Sequence, residues 1–336
     1  MSGSPDPRAA ISRMMQGYAI SQSLSAVARL GVADVMPPGE PVPAADIAAR
    51  VGADEGALYR VMRVLAAEGV FSEGPRHTFT LTQVGELLRD DTDGTERYTA
   101  IWNGEQMYPV WGHLVEAVRK GTPMAERVWG KSYFDHLAER PEEAEIFNRV
   151  MQGGAASRGA SALSELDWSS VRTVVDVGGG TGGMLLGLLD REPHLRGILF
   201  DLPHVADQAR AAIAGAGLED RCEFVGGSFF DAVPADGDLY LLAGILNDWD
   251  DSDAARILQV CRRATRDGAR LVVVQPMVPD GDEPHPAKVT DVHMLAVLGS
   301  RMQSEGELRG LLAATGFRAQ RTIEGVGGVA VEAVTA

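Results

Sequence analysis

Five short segments carry the residue types suited to holding and using a small polar ligand. Residues 174–183 read Val-Val-Asp-Val-Gly-Gly-Gly-Thr-Gly-Gly. Gly178, Gly179 and Gly180 let a backbone turn tightly and approach a ligand with no Cβ in the way. Asp201 ends the apolar run Gly197-Ile198-Leu199-Phe200, and a carboxylate at such a strand end can accept both hydroxyls of a ribose. Gly226-Gly227-Ser228-Phe229-Phe230-Asp231 and Leu246-Asn247-Asp248-Trp249-Asp250-Asp251 follow two further strand candidates. Asp291-Val292-His293-Met294 adds an imidazole, the side chain whose charge changes nearest neutral pH. Three ligand classes use a glycine turn after a first strand: dinucleotides, mononucleotide phosphates and S-adenosylmethionine. No Gly-Lys-Ser/Thr is present, which excludes a P-loop. Gly178, Gly180 and Gly183 keep the dinucleotide spacing, so the turn alone leaves two classes open.

The elements that must position these residues alternate. Strand candidates at 172–177, 197–201, 222–225, 238–243 and 270–275 are separated by helices, ending with a helix over 304–315. This order predicts a doubly wound α/β domain with a mostly parallel sheet and its ligand at the carboxyl ends of the strands. We place that domain at 166–336.

Residues 1–95 read differently. Ile11, Met14, Met15, Tyr18, Ile20, Leu24, Val27 and Leu30 recur at helical spacing over 9–36, with Gly31 as a stop and Pro37-Pro38 as the end. The apolar stripe is wider than one core requires, which predicts a homodimer. Helices at 44–50 and 55–68 followed by strands at 70–73 and 77–82 form a winged-helix pattern. Its second helix carries two arginines and one glutamate over 55–63, and the wing adds Arg76 and His77. Against a formal net charge of −16 in 336 residues, this is thin for DNA. Dimerisation is the expected role, and a DNA-binding regulator with a ligand-sensing domain is the alternative from another class. Residues 96–165 are helical and rich in bulky side chains. They read as a bridge in which Trp102, Met107, Trp111, Phe147 and Met151 line an aromatic substrate pocket.

Cys222 and Cys261 are unpaired in sequence and read as core residues. No metal site is expected. The start of the chain lacks a basic-then-apolar leader, and no apolar run approaches the roughly 20 residues needed to span a bilayer. A cytoplasmic protein with no membrane or nucleic-acid partner is expected.

The glycine turn, Phe-Asp-Leu-Pro at 200–203, Gly-Ser-Phe-Phe at 227–230 and Asn-Asp-Trp-Asp-Asp at 247–251 together resemble one family. It comprises the S-adenosylmethionine-dependent small-molecule O-methyltransferases of plant phenolic and bacterial antibiotic pathways. The resemblance covers nearly the whole chain. It implies an N-terminal winged-helix dimerisation domain and a C-terminal Rossmann-like class I methyltransferase domain. S-adenosyl-L-methionine is the implied cofactor and S-adenosyl-L-homocysteine its product. Asp176, Gly178, Gly179, Gly180, Asp201, Leu202, Ser228, Phe229 and Trp249 are the implied cofactor residues. Within that set Gly178–Gly180 pass the methionyl part, Asp201 holds the ribose and Phe229 lies on the adenine face. Ser228 stands where many relatives carry an aspartate toward the adenine amino group, and a hydroxyl accepts more weakly than a carboxylate.

The resemblance also marks a departure. Plant relatives carry a histidine immediately before Asp-Trp, flanked by two acids. This chain has Asn247 there, and Gln275 and Met302 at the flanking positions. An amide takes no proton, so the acid–base positions are neutral. Methylation of a hydroxyl by proximity is the reading we adopt, since effective molarity alone supplies several kcal/mol. N-methylation of a heteroaromatic, as in the phenazine N-methyltransferases whose Asp291-Val292-His293 segment is similar, is the alternative. A repurposed hydroxylase or pericyclase is the third. Asn247 and His293 are the catalytic candidates. Asn247, Asp291, His293 and Met294 join the aromatic residues as substrate candidates.

Overall fold

The computed structural model describes residues 6–92, 94–158, 163–235, 237–325 and 328–336. The first residues of the chain, inspected for a leader, and residues 159–162 of the helical bridge lie outside the described residues. The chain forms two compact units. One comprises residues 1–120 and 124–153, the other 121–123 and 154–336. The helical segment set apart by its sequence thus groups with the N-terminal unit as far as residue 153.

In the first unit a helix runs Pro7–Leu30 and stops at Gly31 as the sequence indicates, and a short turn of 3-10 helix at Ala33–Val35 follows. Asp6 caps it by accepting from Arg8 N at 3.1 Å, and Gly31 ends it at φ +68°, a conformation that favours glycine. Val27 and Ala28 enter the core, whereas Ile11, Met14, Met15 and Tyr18 are 53–73 % exposed. The stripe therefore divides along its length: its C-terminal end packs within the chain and its N-terminal end does not. The winged-helix pattern is present. Helices Ala44–Val51 and Glu55–Ala67 precede β2 (Phe71–Gly74) and β3 (Thr78–Leu81), and a two-residue strand β1 (Val42–Pro43) completes a sheet of order β1-β3-β2. The second helix is tied to its own hairpin. Tyr59 Oη donates to Glu73 at 2.8 Å, Arg63 pairs with Glu73 at 3.5 Å, and His77 stacks on Tyr59. A side chain engaged in this way offers little to a phosphate.

Further on, helix Arg97–Trp102 passes through a π-helical turn at Asn103–Met107 into Tyr108–Trp111. Gly104 sits there because any Cβ would overlap Ser25 of the first helix. A buried relay crosses this region. Trp102 Nε1 donates to Tyr133 Oη (2.8 Å), Tyr133 donates to Gln106 Oε1 (2.6 Å), and Gln106 Nε2 donates to the Glu143 carbonyl (3.0 Å).

The second unit is a seven-stranded sheet of order β6-β5-β4-β7-β8-β10-β9. The strands are β4 (Thr173–Val177), β5 (Arg196–Asp201), β6 (Cys222–Gly226), β7 (Leu239–Ala243), β8 (Arg270–Gln275), β9 (Phe317–Gly325) and β10 (Gly328–Thr335). The five strands read from sequence are parallel and agree within a residue or two. The hairpin β9–β10 is an addition: it runs antiparallel, with β10 against β8. Charged residues are spread along β9, and Glu332 interrupts the apolar run of β10. Val174, Val175, Val177, Leu199, Leu241 and Leu242 are fully buried at the centre of the sheet.

Candidate active site

Because β4 to β8 are parallel, every segment singled out above, except that on helix Pro286–Leu298, leaves the same edge of the sheet. The turn after β4 is built for glycine. Gly178, Gly180 and Gly182 have φ of +75°, +59° and +87°. A Cβ at Gly178 would come 2.5 Å from Ile245 Cδ1, and one at Gly179 would overlap Asp176 and Leu199. A Cβ at Gly180 meets nothing within 4 Å, so the turn's outer side is open while its inner side is full. Gly178 N donates to the Phe200 carbonyl at 2.8 Å, which ties the turn to β5.

Asp201 faces this turn. Its Oδ2 accepts from Gly180 N at 2.7 Å and its Oδ1 from Leu202 N at 2.6 Å. A carboxylate has about four acceptor sites, so each oxygen keeps one for a ribose hydroxyl. Leu202 is 44 % exposed beside it, an apolar ledge at a strand exit. After β6, Ser228 Oγ accepts from Phe230 N at 3.2 Å, which spends part of the acceptor capacity expected for adenine. The two phenylalanines separate in role. Phe229 lies against the glycine turn, 3.4 Å from where a Gly178 Cβ would stand. Phe230 packs edge-on to Trp249 at 4.7 Å with the Arg256 guanidinium over its other side. Trp249 supports both rings. Asp176 is 1 % exposed inward of the turn.

The set fits an adenosine ligand with a small cationic tail: an open glycine cradle, a carboxylate with spare acceptors, and a half-buried ring. Among the described residues, no three His, Cys, Asp or Glu side chains gather as a metal group, and no helix is long and apolar enough to cross a membrane.

The reaction end is neutral. Asn247 follows β7, and its Nδ2 donates to Asp248 Oδ1 at 3.2 Å, leaving Oδ1 buried without a partner. Gln275 ends β8, 1 % exposed, and its Nε2 donates to Gln303 Oε1 at 3.2 Å. Gln303 was not singled out from sequence; it follows Met302 directly, and only its neighbour's place in the pattern pointed there. Met302 itself is 3 % exposed. Asp248 is open to solvent over part of its surface, yet protein crowds the carboxyl closely enough for burial to push it up to about 6. His293 lies on helix Pro286–Leu298 with Met294, both half-buried. Burial lowers its imidazole from the usual range. Asp291 Oδ1 accepts from Met302 N at 2.7 Å, so it holds the segment after the helix.

The aromatic candidates lie in the first unit. Trp102, Trp111 and Phe147 are half-buried, and Phe147 meets Tyr133 edge-on at 5.7 Å. Met151 is 36 % exposed. Met107, at 1 % exposure, presents no surface to a ligand and is packing, which corrects its reading as pocket wall. Its spacing resembles that of a lining residue because both kinds follow the same helical period.

Comparison with known proteins agrees with this arrangement. Residues 111–318 match the O-methyltransferase domain family and residues 12–91 the O-methyltransferase dimerisation domain. The chain is 40 % identical to a phenazine O-methyltransferase of Lysobacter antibioticus, over 95 % of this chain and 93 % of that protein. It is 31 % identical to a phenazine-1-carboxylate N-methyltransferase of Pseudomonas aeruginosa, over 90 % of each. It superimposes with a TM-score of 0.79 on an O-methyltransferase from neocarzinostatin biosynthesis, solved with S-adenosylmethionine and 2-hydroxy-5-methyl naphthoic acid. That pair is 30 % identical over 95 % of this chain and 96 % of the other. The glycine cradle, the Asp201 carboxylate and these matches along both units lead to one conclusion: the chain belongs to the O-methyltransferase family, as an S-adenosylmethionine-dependent methyltransferase carrying the family's dimerisation domain.

Proposed function

We propose that this enzyme methylates a hydroxyl of an aromatic or polyketide-like small molecule of secondary metabolism, in the cytoplasm, by proximity rather than through a protein base. The observation that carries this reading is Asn247. Asp248 holds its amide nitrogen, so the residue presents an acceptor oxygen and has no basic pair to offer. Gln275 is likewise neutral and tied to Gln303. S-adenosylmethionine, held by Gly178–Gly180, Asp201 and Phe229, supplies an electrophilic methyl. The chain's own part is to hold the acceptor oxygen in line and exclude water. In this reading His293 and Met294, half-buried on their helix of the second unit, orient the acceptor. The acceptor proton leaves to solvent before attack. N-methylation, which needs no deprotonation, is the second reading that the neutral side chains favour.

Two variants test it. Asn247→Ala is expected to lower the single-turnover rate by about tenfold or less, about 1.4 kcal/mol of barrier; a collapse of several orders would give Asn247 a specific chemical role. His293→Ala is expected to lower kcat/KM while leaving the shape of its pH profile from 6 to 9 unchanged. The sign follows from burial, which lowers the imidazole from its usual range and so favours its neutral form. Loss of an acid-side limb in the variant would make His293 the base.

A further inference from the structure

The chain leaves helix Pro286–Leu298 at Gly299, φ +73°, and enters helix Glu305–Ala314 through a capping box of Ser304 and Glu307. Residues 300–303 between them belong to neither helix nor strand, yet Met302 and Gln303 are each 3 % exposed. Buried backbone outside regular structure has to find its partners elsewhere. Here Met302 N donates to Asp291 Oδ1 at 2.7 Å, and the Gln303 carbonyl accepts from Val278 N, beyond the end of β8, at 3.2 Å. The Gln303 side chain adds the bond from Gln275. Arg301 ties the same segment to Asp251 and Glu307, but these side chains are about half exposed, and such pairs contribute little.

Asp291 stands inside a helix of 13 residues, where aspartate has poor propensity because its carboxylate competes for backbone groups. Its carboxylate reaches a backbone N–H eleven residues further on. Met294, three residues after it, shares its helix face, and His293 lies between the two in sequence. One side chain therefore fixes the helix carrying His293 and Met294 against a segment that is itself bonded to Gln275 at the end of β8. We propose that Asp291 is the positioning residue of the acceptor site. It sets the register between the helix that orients the acceptor and the neutral end of β8, and through that register it sets which acceptor atom meets the methyl group. This rests on the reading that His293 and Met294 orient the acceptor. In such a role Asp291 touches neither acceptor nor methyl donor and moves no proton. What counts is the length of its arm and an oxygen aimed at Met302 N. Attack geometry is sensitive to a shift of about 1 Å, on the order of a hundredfold in rate, and one methylene in the arm is a shift of that size.

Three variants of the full-length enzyme separate arm length from charge. Asp291→Asn keeps the arm and an acceptor oxygen without the charge. Asp291→Glu keeps the charge on an arm one methylene longer, and Asp291→Ala removes both. The probe is 8-hydroxyquinoline, which offers a hydroxyl and a ring nitrogen to the same methyl donor. Relative to the wild type, kcat/KM for the probe is expected to stay within about threefold in Asn and to fall about fivefold in Glu and about thirtyfold in Ala. The KM for the probe should rise in Glu and Ala, and the ratio of O- to N-methylated product should change, whereas the KM for S-adenosylmethionine should stay within about twofold. A smaller fraction of folded enzyme would alter neither the KM for the probe nor the product ratio. Glu outperforming Asn would mean that the charge meets the acceptor directly, and would overturn the proposal. An unchanged KM for the probe and an unchanged product ratio in Ala would reduce Asp291 to a contact of the fold.

Two controls complete the test. Arg301→Gln loosens the exposed pairs of the same segment and is expected to leave the product ratio as it is; an equal shift there would move the role from Asp291 to the segment as a whole. Hydrogen–deuterium exchange of the peptide covering residues 300–304 reads the tether without turnover, and it should be faster in Ala than in Asn or the wild type. Exchange as slow in Ala as in the wild type would overturn the tether whatever happens to the probe. A wild type that methylates the ring nitrogen alone would overturn the hydroxyl reading, while the order of the three variants would still judge Asp291.

Discussion

Asp201→Ala should weaken S-adenosylmethionine binding by at least about a hundredfold. The residue does two things at one place. Its two oxygens accept from Gly180 N and Leu202 N, and its remaining lone pairs face where a ribose would lie. Hydrogen bonds to an ionised acceptor contribute about 1.5–3 kcal/mol each. Removing two that shape the turn, and those to the ribose as well, gives a loss of roughly 3–6 kcal/mol even after non-additivity. Asp201→Asn keeps one acceptor oxygen and replaces the other with a donor that opposes a backbone N–H, so it should retain part of the affinity. Titration calorimetry with S-adenosylhomocysteine measures both variants. An Ala variant binding as tightly as the wild type would end the ribose assignment.

The second large effect concerns two adjacent glycines that should fail in different ways. Gly179→Ala places a methyl onto Asp176 and Leu199, which are 1 % and 0 % exposed and cannot yield. Overpacking of this kind costs about 1–3 kcal/mol, and here it also drives the turn outward into the ligand's space. The variant should melt several degrees lower and lose stabilisation by S-adenosylhomocysteine. Gly180→Ala meets nothing within 4 Å, so its folding cost is limited to the left-handed backbone, about 1–2 kcal/mol. Its methyl projects into the open side, so it should bind the ligand poorly while folding nearly as well. Thermal unfolding with and without ligand separates the two. The same ligand-induced shift in both variants would deny that the turn's two sides differ.

How much of this was legible in the chain depends on the kind of signal. Continuous apolar runs such as Leu239–Ala243 and Leu271–Val274 announce buried parallel strands, and those were placed within a residue or two. The β9–β10 hairpin escaped because Arg318, Arg321, Glu324 and Glu332 interrupt it, and Arg270, Arg321 and Glu332 compensate one another only after folding. The cofactor residues were legible because glycine and carboxylate at a strand exit have few other uses. The aromatic residues were less so. Met107 and Phe147 have the same helical spacing, and only packing distinguishes the buried thioether from the half-exposed ring. Gln303 and the structural duty of Asp291 were hidden for another reason: each depends on a contact between segments 11 to 28 residues apart.

That Asp201 is bonded to Gly180 within the chain has a bearing on how the protein can be redesigned. The nucleotide-reading residue and the loop it reads through form one part, so altering either disables both. Asn247 and Gln275 belong to other strand exits, and their side-chain amides donate to Asp248 and Gln303 instead. A library confined to those two positions can therefore explore new acceptors while inheriting an intact methyl-donor module.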